Sequence, residues 1–147
     1  MVHYLKSLKG KYEMEKYKLI EFKEYGDERG NLVVAEGSGK DIPFEIKRVF
    51  YISGSDAEVV RGKHANRKTQ FVLINVAGSS DVMVDDGTKK EVIHLDKPRM
   101  GLYLNTMVWK EMYNFSPDSV LMCLASEHFD EAEYIRNYDE FIKECRA

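Results

Sequence analysis

Residues Arg61–Gly78 read RGKHANRKTQFVLINVAG. Gln70 to Val76 form a nearly continuous apolar run, the pattern of a strand buried on both faces. Ahead of it lie one imidazole, His64, and one amide, Asn66, among the cations Arg61, Arg67 and Lys68. Side chains two apart on a strand point to the same face. His64 and Asn66 are therefore expected side by side, at a strand mouth whose cations suit an anionic ligand. A metal site would place a second imidazole here, and a plain core strand would place neither.

Working outward, the β pattern continues in both directions. KLIEF and NLVVAE read as short strands around a turn at YGDERG, and IKRVFYI as a strand with one wet face. In SDVMVDDGTKKEVIHLD, Val82 and Val84 share a face, and Asp86-Gly87 supplies the positive φ of a tight hairpin turn. GLYLN, VWKEMYNF and VLMCLAS follow as further strands. Turn signals every 8–12 residues predict a sandwich or barrel. The tail differs: Asp130 is placed to cap a helix over DEAEYIRNYDEFIKEC with Glu133 as its reciprocal partner, leaving Tyr134, Tyr138, Phe141 and Cys145 on one face.

The 147 residues are 44% apolar and 32% charged, which predicts one domain with a sizeable core and a water-facing surface. A net charge of −3 gives no pull toward nucleic acid. No apolar run approaches the roughly 20 residues that span a bilayer, and the first residues are too charged for a signal peptide. The two cysteines, Cys123 and Cys145, form no CxxC pair and read as free thiols in a reducing cytoplasm. Residues 1–17 read as an N-terminal extension and residues 18–147 as the domain.

The fold expected is all-β, a cupin-type jelly roll or β-barrel with a short C-terminal helix. The opening stretch resembles the first cupin motif, in which HxH and a later glutamate hold a metal ahead of a glycine. Here those positions are His64, Asn66, Gln70 and Gly78, and the late second-motif ligand falls near Trp109. One ligand of four remains, so no metal is expected.

Beyond the cupin motif, the chain resembles the nucleotide-sugar 3,4-ketoisomerases that act on dTDP-4-dehydro-6-deoxyglucose. The likeness rests on DERGNLV, IPFEIKRVFYI, RGKHANRK, VLINVAGS, VDDG, GLYLNTMVWKEM and LASEHFDEAEYIRNYDEF. It implies a metal-free, cofactor-independent cupin, a homodimer, and a cytoplasmic enzyme making precursors of 3-amino-3,6-dideoxy sugars for surface polysaccharides. It implies His64 as the base that moves a proton between C3 and C4 through an enediolate. A histidine, with a reference pKa of about 6.5, suits that task. Asn66 is expected to orient a substrate oxygen, and a water, Tyr51 or Tyr103 to take over the proton that Asn66 cannot carry. Arg29, Arg48, Arg61, Tyr103, Trp109 and Glu111 are expected around the dTDP-linked 6-deoxy-4-keto sugar. Two departures stand out: Asn66 replaces the second histidine, and Phe50 replaces a tyrosine. Arg29-Gly30 in the first strand turn favours the galacto product. A dTDP-sugar epimerase and a non-catalytic nucleotide-sugar binder are the alternative readings.

Overall fold

Twelve strands and one α-helix organise residues 15–147, the part of the chain that the computed structural model describes. The strands are β1 (Tyr17–Glu21), β2 (Lys23–Asp27), β3 (Gly30–Val34), β4 (Arg48–Ser53), β5 (Arg61–Asn66), β6 (Phe71–Ala77), β7 (Ser80–Asp85), β8 (Lys90–Leu95), β9 (Met100–Leu104), β10 (Trp109–Tyr113), β11 (Val120–Ala125) and β12 (Tyr134–Ile135). The helix α1 (Tyr138–Cys145) ends the chain. One sheet runs β1-β9-β6-β11-β4 and a second runs β12-β5-β10-β7-β8. All pairings are antiparallel, and β2-β3 forms a separate hairpin. This is the expected all-β jelly-roll class with a short terminal helix, its two sheets open rather than closed into a barrel. Most of the expected extension, residues 1–17, lies outside the described residues.

Alternation sorts the apolar residues into layers. Phe71 and Leu73 of β6, Val82 and Val84 of β7, and Leu121 and Cys123 of β11 meet in one cluster. The intervening residues, Val72 and Ile74 of β6 and Leu124 of β11, turn to the opposite face and pack under Phe22, Ile42 and Phe44. That double coverage explains the unbroken apolar run in β6: both faces of the strand are dry. Each such side chain contributes about 1.5–3 kcal/mol by burial. A third cluster, Ala65, Trp109, Ile135 and Phe141, docks α1 on the second sheet.

Three local expectations are corrected. The YGDERG turn is shorter than expected, because Tyr25, Gly26 and Asp27 pair within β2 and only residues 28 and 29 turn. The β7–β8 connection is a four-residue loop, residues 86–89, and not a two-residue turn. Asp86 Oδ1 accepts from the N–H and hydroxyl of Thr88 and from Lys89 N, and Gly87 alone takes positive φ. The tail is not one helix. Asp130 caps a 3₁₀ turn at Glu131–Glu133, then Tyr134 and Ile135 pair with Asn66 and Ala65 as β12, and Asn137 caps α1. Glu133 is not a reciprocal cap, because β5 and the segment after it take its carboxylate.

Gly78, between β6 and β7, has φ +63°, and a Cβ there would sit 2.8 Å from the backbone Cα of Ser119. Gly78→Ala is therefore expected to lower the unfolding free energy by about 2 kcal/mol or more. Urea unfolding would show this as a lower midpoint at unchanged slope; an unchanged midpoint would mean that the connection rearranges freely.

Candidate active site

The site is built on a kink between β5 and β10. Lys110 pairs with His64, but Glu111 pairs with Gly62, so Lys63 is an extra residue on β5. Gly62 and Lys63 take φ +84° and +56° at this bulge. Only glycine fits at 62, since a Cβ would lie 2.9 Å from the Lys110 carbonyl oxygen. Bulges re-aim side chains, and here the bulge turns the His64 Nδ1 back onto the Gly62 carbonyl at 3.0 Å. A carbonyl only accepts, so Nδ1 carries the proton and Nε2 keeps its lone pair. Tyr134 holds the ring from the other side, with centroids 4.9 Å apart. Burial, then the charges of Lys110 and Arg136, push the imidazole pKa down to about 4, against the opposing pull of the Gly62 bond and Glu133. His64 is a free base throughout the neutral range.

Lys110 projects beside it, since directly paired residues share a face. Its side chain is buried, and Nζ donates to Asn66 Oδ1 at 3.1 Å and lies 4.7 Å from the Phe71 ring centroid. Burial pushes the ammonium down to about 7, although Glu133 and Cys123 favour its charge. Asn66 is itself fixed. Its Nδ2 donates to Glu133 Oε1 at 2.6 Å, and since a carboxylate only accepts, the amide oxygen must face Lys110.

His64 and Lys110 line a cavity of about 340 Å³ whose other walls are Arg48, Val49, Phe50, Phe71, Leu73, Leu104, Met112, Cys123, Phe129 and Tyr134. Arg48 stacks its guanidinium on Phe50 and Phe129, and its Nε and Nη2 are buried without a hydrogen-bond partner. Burial pushes the Cys123 thiol up to about 12, so it packs as a neutral side chain.

Of the residues expected from sequence, His64 and Arg48 line this cavity and the others do not. Asn66 has both amide atoms engaged by Glu133 and Lys110 and is buried one layer behind. Tyr51 is 71% exposed, next to the cavity residue Phe50 but not itself lining the space. Tyr103 donates to Gln70 within the other core layer. Trp109 packs under α1 and donates to Glu111, so both are occupied there. Arg29 pairs with Asp27 in the β2–β3 turn, and Arg61 is exposed at the start of β5. Lys110, Glu133, Phe129 and Tyr134 escaped the sequence reading. Lys110 is a single lysine in a strand, and nothing local marks it as buried. Glu133 and Tyr134 lie in the long tail motif and read there as helix.

A cupin metal does not fit this donor set. His64 is the one expected ligand at the cavity, the side chains at 66 and 70 are engaged with Lys110, Glu133 and Tyr103, and the Lys110 charge repels a dication. Among the described residues no three His, Cys, Asp or Glu side chains converge.

Residues 15–146 match the family described as FdtA: WxcM-like, C-terminal. A TDP-4-oxo-6-deoxy-alpha-D-glucose-3,4-oxoisomerase of Aneurinibacillus thermoaerophilus is 49% identical, over 86% of this chain and 90% of that protein. The crystal structure of QdtA, a sugar 3,4-ketoisomerase from Thermoanaerobacterium thermosaccharolyticum in complex with TDP, superposes with a TM-score of 0.87 at 42% identity, over 90% of this chain and 96% of that one. A histidine-to-asparagine mutant of the same enzyme, in complex with TDP-4-keto-6-deoxyglucose, matches at TM-score 0.87 and 41% identity, over 90% and 96% of the two chains.

The folded pKa of His64, about 4, lies below the unfolded value of about 6.5. Between these limits the unfolded chain binds more protons, so the stability contributed by the neutral ring is complete above the window and is lost as pH falls through it. NMR titration should find the His64 ring neutral at pH 5.5; a midpoint near 6.5 would contradict the burial argument.

Proposed function

The chain belongs to the FdtA family of WxcM-like C-terminal domains, and we infer from that membership that it is a TDP-sugar 3,4-ketoisomerase. The substrate proposed is the TDP-linked 4-keto-6-deoxy-D-glucose, whose ketone moves from C4 to C3. The observation that carries the reading is a neutral imidazole with a free Nε2 at a largely apolar cavity that Arg48 also lines. The aromatic walls suit a deoxygenated hexose face. The Arg48 donors suit sugar or pyrophosphate oxygens.

His64 takes the C3 proton, and the charge that develops on the enediolate oxygens is met by fixed cations rather than by water. The same imidazole returns the proton to C4. Its low pKa makes it a weak base, so the nearby positive charge that depresses it must also stabilise the enediolate. The Arg29-Gly30 turn and its resemblance to galacto-forming members support the galacto product. The epimerase and binding-protein readings are not favoured, because the three relatives above are named as ketoisomerases. Two free thiols, Cys123 and Cys145, are consistent with work in the cytoplasm. Among the described residues no helix is long and apolar enough to cross a membrane.

His64→Asn should lose turnover, and deuterium uptake at the sugar carbons in deuterated buffer, by at least about 100-fold while still binding TDP. Sugar-proton NMR measures both. Exchange at the wild-type rate would make the imidazole structural and the base another group. We also propose a homodimer. Edge strand β4 exposes Val49 and Tyr51, edge strand β1 exposes Leu19, and the β2–β3 hairpin exposes Tyr25 and Leu32. Sedimentation at micromolar concentration should give twice the chain mass; a single monomeric species would reject the dimer.

A further inference from the structure

Moving a ketone from C4 to C3 needs two proton transfers. One runs between carbons, from C3 to C4. The other runs between oxygens, from O3 to O4. His64 accounts for the first and not for the second, since its Nδ1 is committed to the Gly62 carbonyl. Neither polar neighbour on β5 or β4 supplies it: Asn66 is an engaged amide and Tyr51 does not line the cavity.

We propose that Lys110 is the second proton-handling group of this site, its ammonium protonating O4 as His64 removes the C3 proton and its amine then taking the proton of O3. The proposal rests on the ketoisomerase reading above. The steps balance. As the C3–H bond breaks, its pair forms the C3=C4 bond and the C4=O π pair takes a proton from Nζ. In the return half the O3–H proton passes to Nζ, an O3 lone pair forms the new C3=O bond, and the C3=C4 pair takes the proton from His64 at C4. Both side chains end as they began, and no oxidant or reductant is consumed.

The geometry supports this in three ways. Lys110 is paired across the strands with His64 and lines the same cavity. Among the described residues only Asn66 accepts a hydrogen bond from Nζ, so two of the three ammonium donors are free for a ligand. The charges also alternate: before the first step Lys110 is charged and His64 neutral, and after it the reverse holds. The buried pair never carries two positive charges. The groups around the ammonium are His64 on β5, Arg48 on β4, Cys123 on β11 and Glu133 on the 3₁₀ turn. Burial outweighs the help of Glu133 and holds the group at about 7, where it can both give and take a proton.

The test compares full-length wild type, Lys110→Arg and Lys110→Met on TDP-4-keto-6-deoxyglucose in deuterated buffer, read by sugar-proton NMR. Arginine keeps the positive charge at O4 but does not release its proton. Lys110→Arg should therefore keep deuterium exchange at C3 within about tenfold of wild type while product formation falls at least about 100-fold. Lys110→Met should lose both. In wild type, turnover should fall as pH rises through about 7, with no matching fall for TDP binding. Product formation by Lys110→Arg or Lys110→Met at the wild-type rate would overturn the proposal. If neither variant folds, the wild-type pH profile decides, and a rate that is level from pH 5.5 to 8.5 overturns it. Failure of wild type to convert this substrate at all would instead reject the ketoisomerase reading, and the lysine's role with it.

Discussion

Glu133 is a buried carboxylate that accepts from the backbone N–H groups of Lys68 and Thr69, from the Thr69 hydroxyl and from the Asn66 amide. A carboxylate taken out of water is tolerated only when its lone pairs are met this fully. Desolvation alone would raise its pKa. The bonds from Thr69, Lys68 and Asn66 together outweigh it and hold the group below the usual range. That one anion joins the tail to the β5–β6 connection, so β12 is laid against β5 and Tyr134 against His64. It also decides which end of the Asn66 amide faces Lys110, and its charge partly offsets the buried ammonium. Remove it, and Asn66, Lys110 and the wall formed by Tyr134 lose their common reference.

The chemistry that follows depends on burial more than on residue type. In water a histidine and a lysine would sit on the wrong sides of neutrality to exchange roles. Here desolvation moves both downward, to about 4 and about 7. The free-base imidazole and the charged amine then coexist, because each disfavours charge on the other. A site with this electrostatic character holds a divalent cation badly. With an asparagine at 66 and a glutamine at 70, the strand positions that bind metal in a cupin no longer supply its ligands.

Arg48 holds a different store of unmet interaction. The buried Nε and Nη2 of Arg48 lack partners, at a cost of about 1–3 kcal/mol for each unsatisfied donor. The stacking of the guanidinium between Phe50 and Phe129 keeps it in place while those donors wait. A ligand oxygen that met them would recover that cost. Phe50 brings no hydroxyl to this wall.

The sequence by itself determined most of the strands, their inward faces and the one histidine at the cavity. Period-two alternation placed Val82 and Val84 inward, and the unbroken run in β6 announced a strand dry on both faces, because burial selects side chains residue by residue. His64 was legible because HxN before such a run departs from a known motif. Glu133 was visible but misread, since a capping spacing looks the same whether its carboxylate turns to its own backbone or to another strand. Lys110 was not legible at all. Its burial, its pairing with His64 and its contact with Asn66 arise only when β5 and β10 come together across a bulge, and a pKa is set by that assembled surrounding. The tertiary structure alone also removed Tyr103, Trp109 and Glu111 from the cavity, because the direction of an aromatic or acidic side chain on a two-sided strand is decided by what packs against each face.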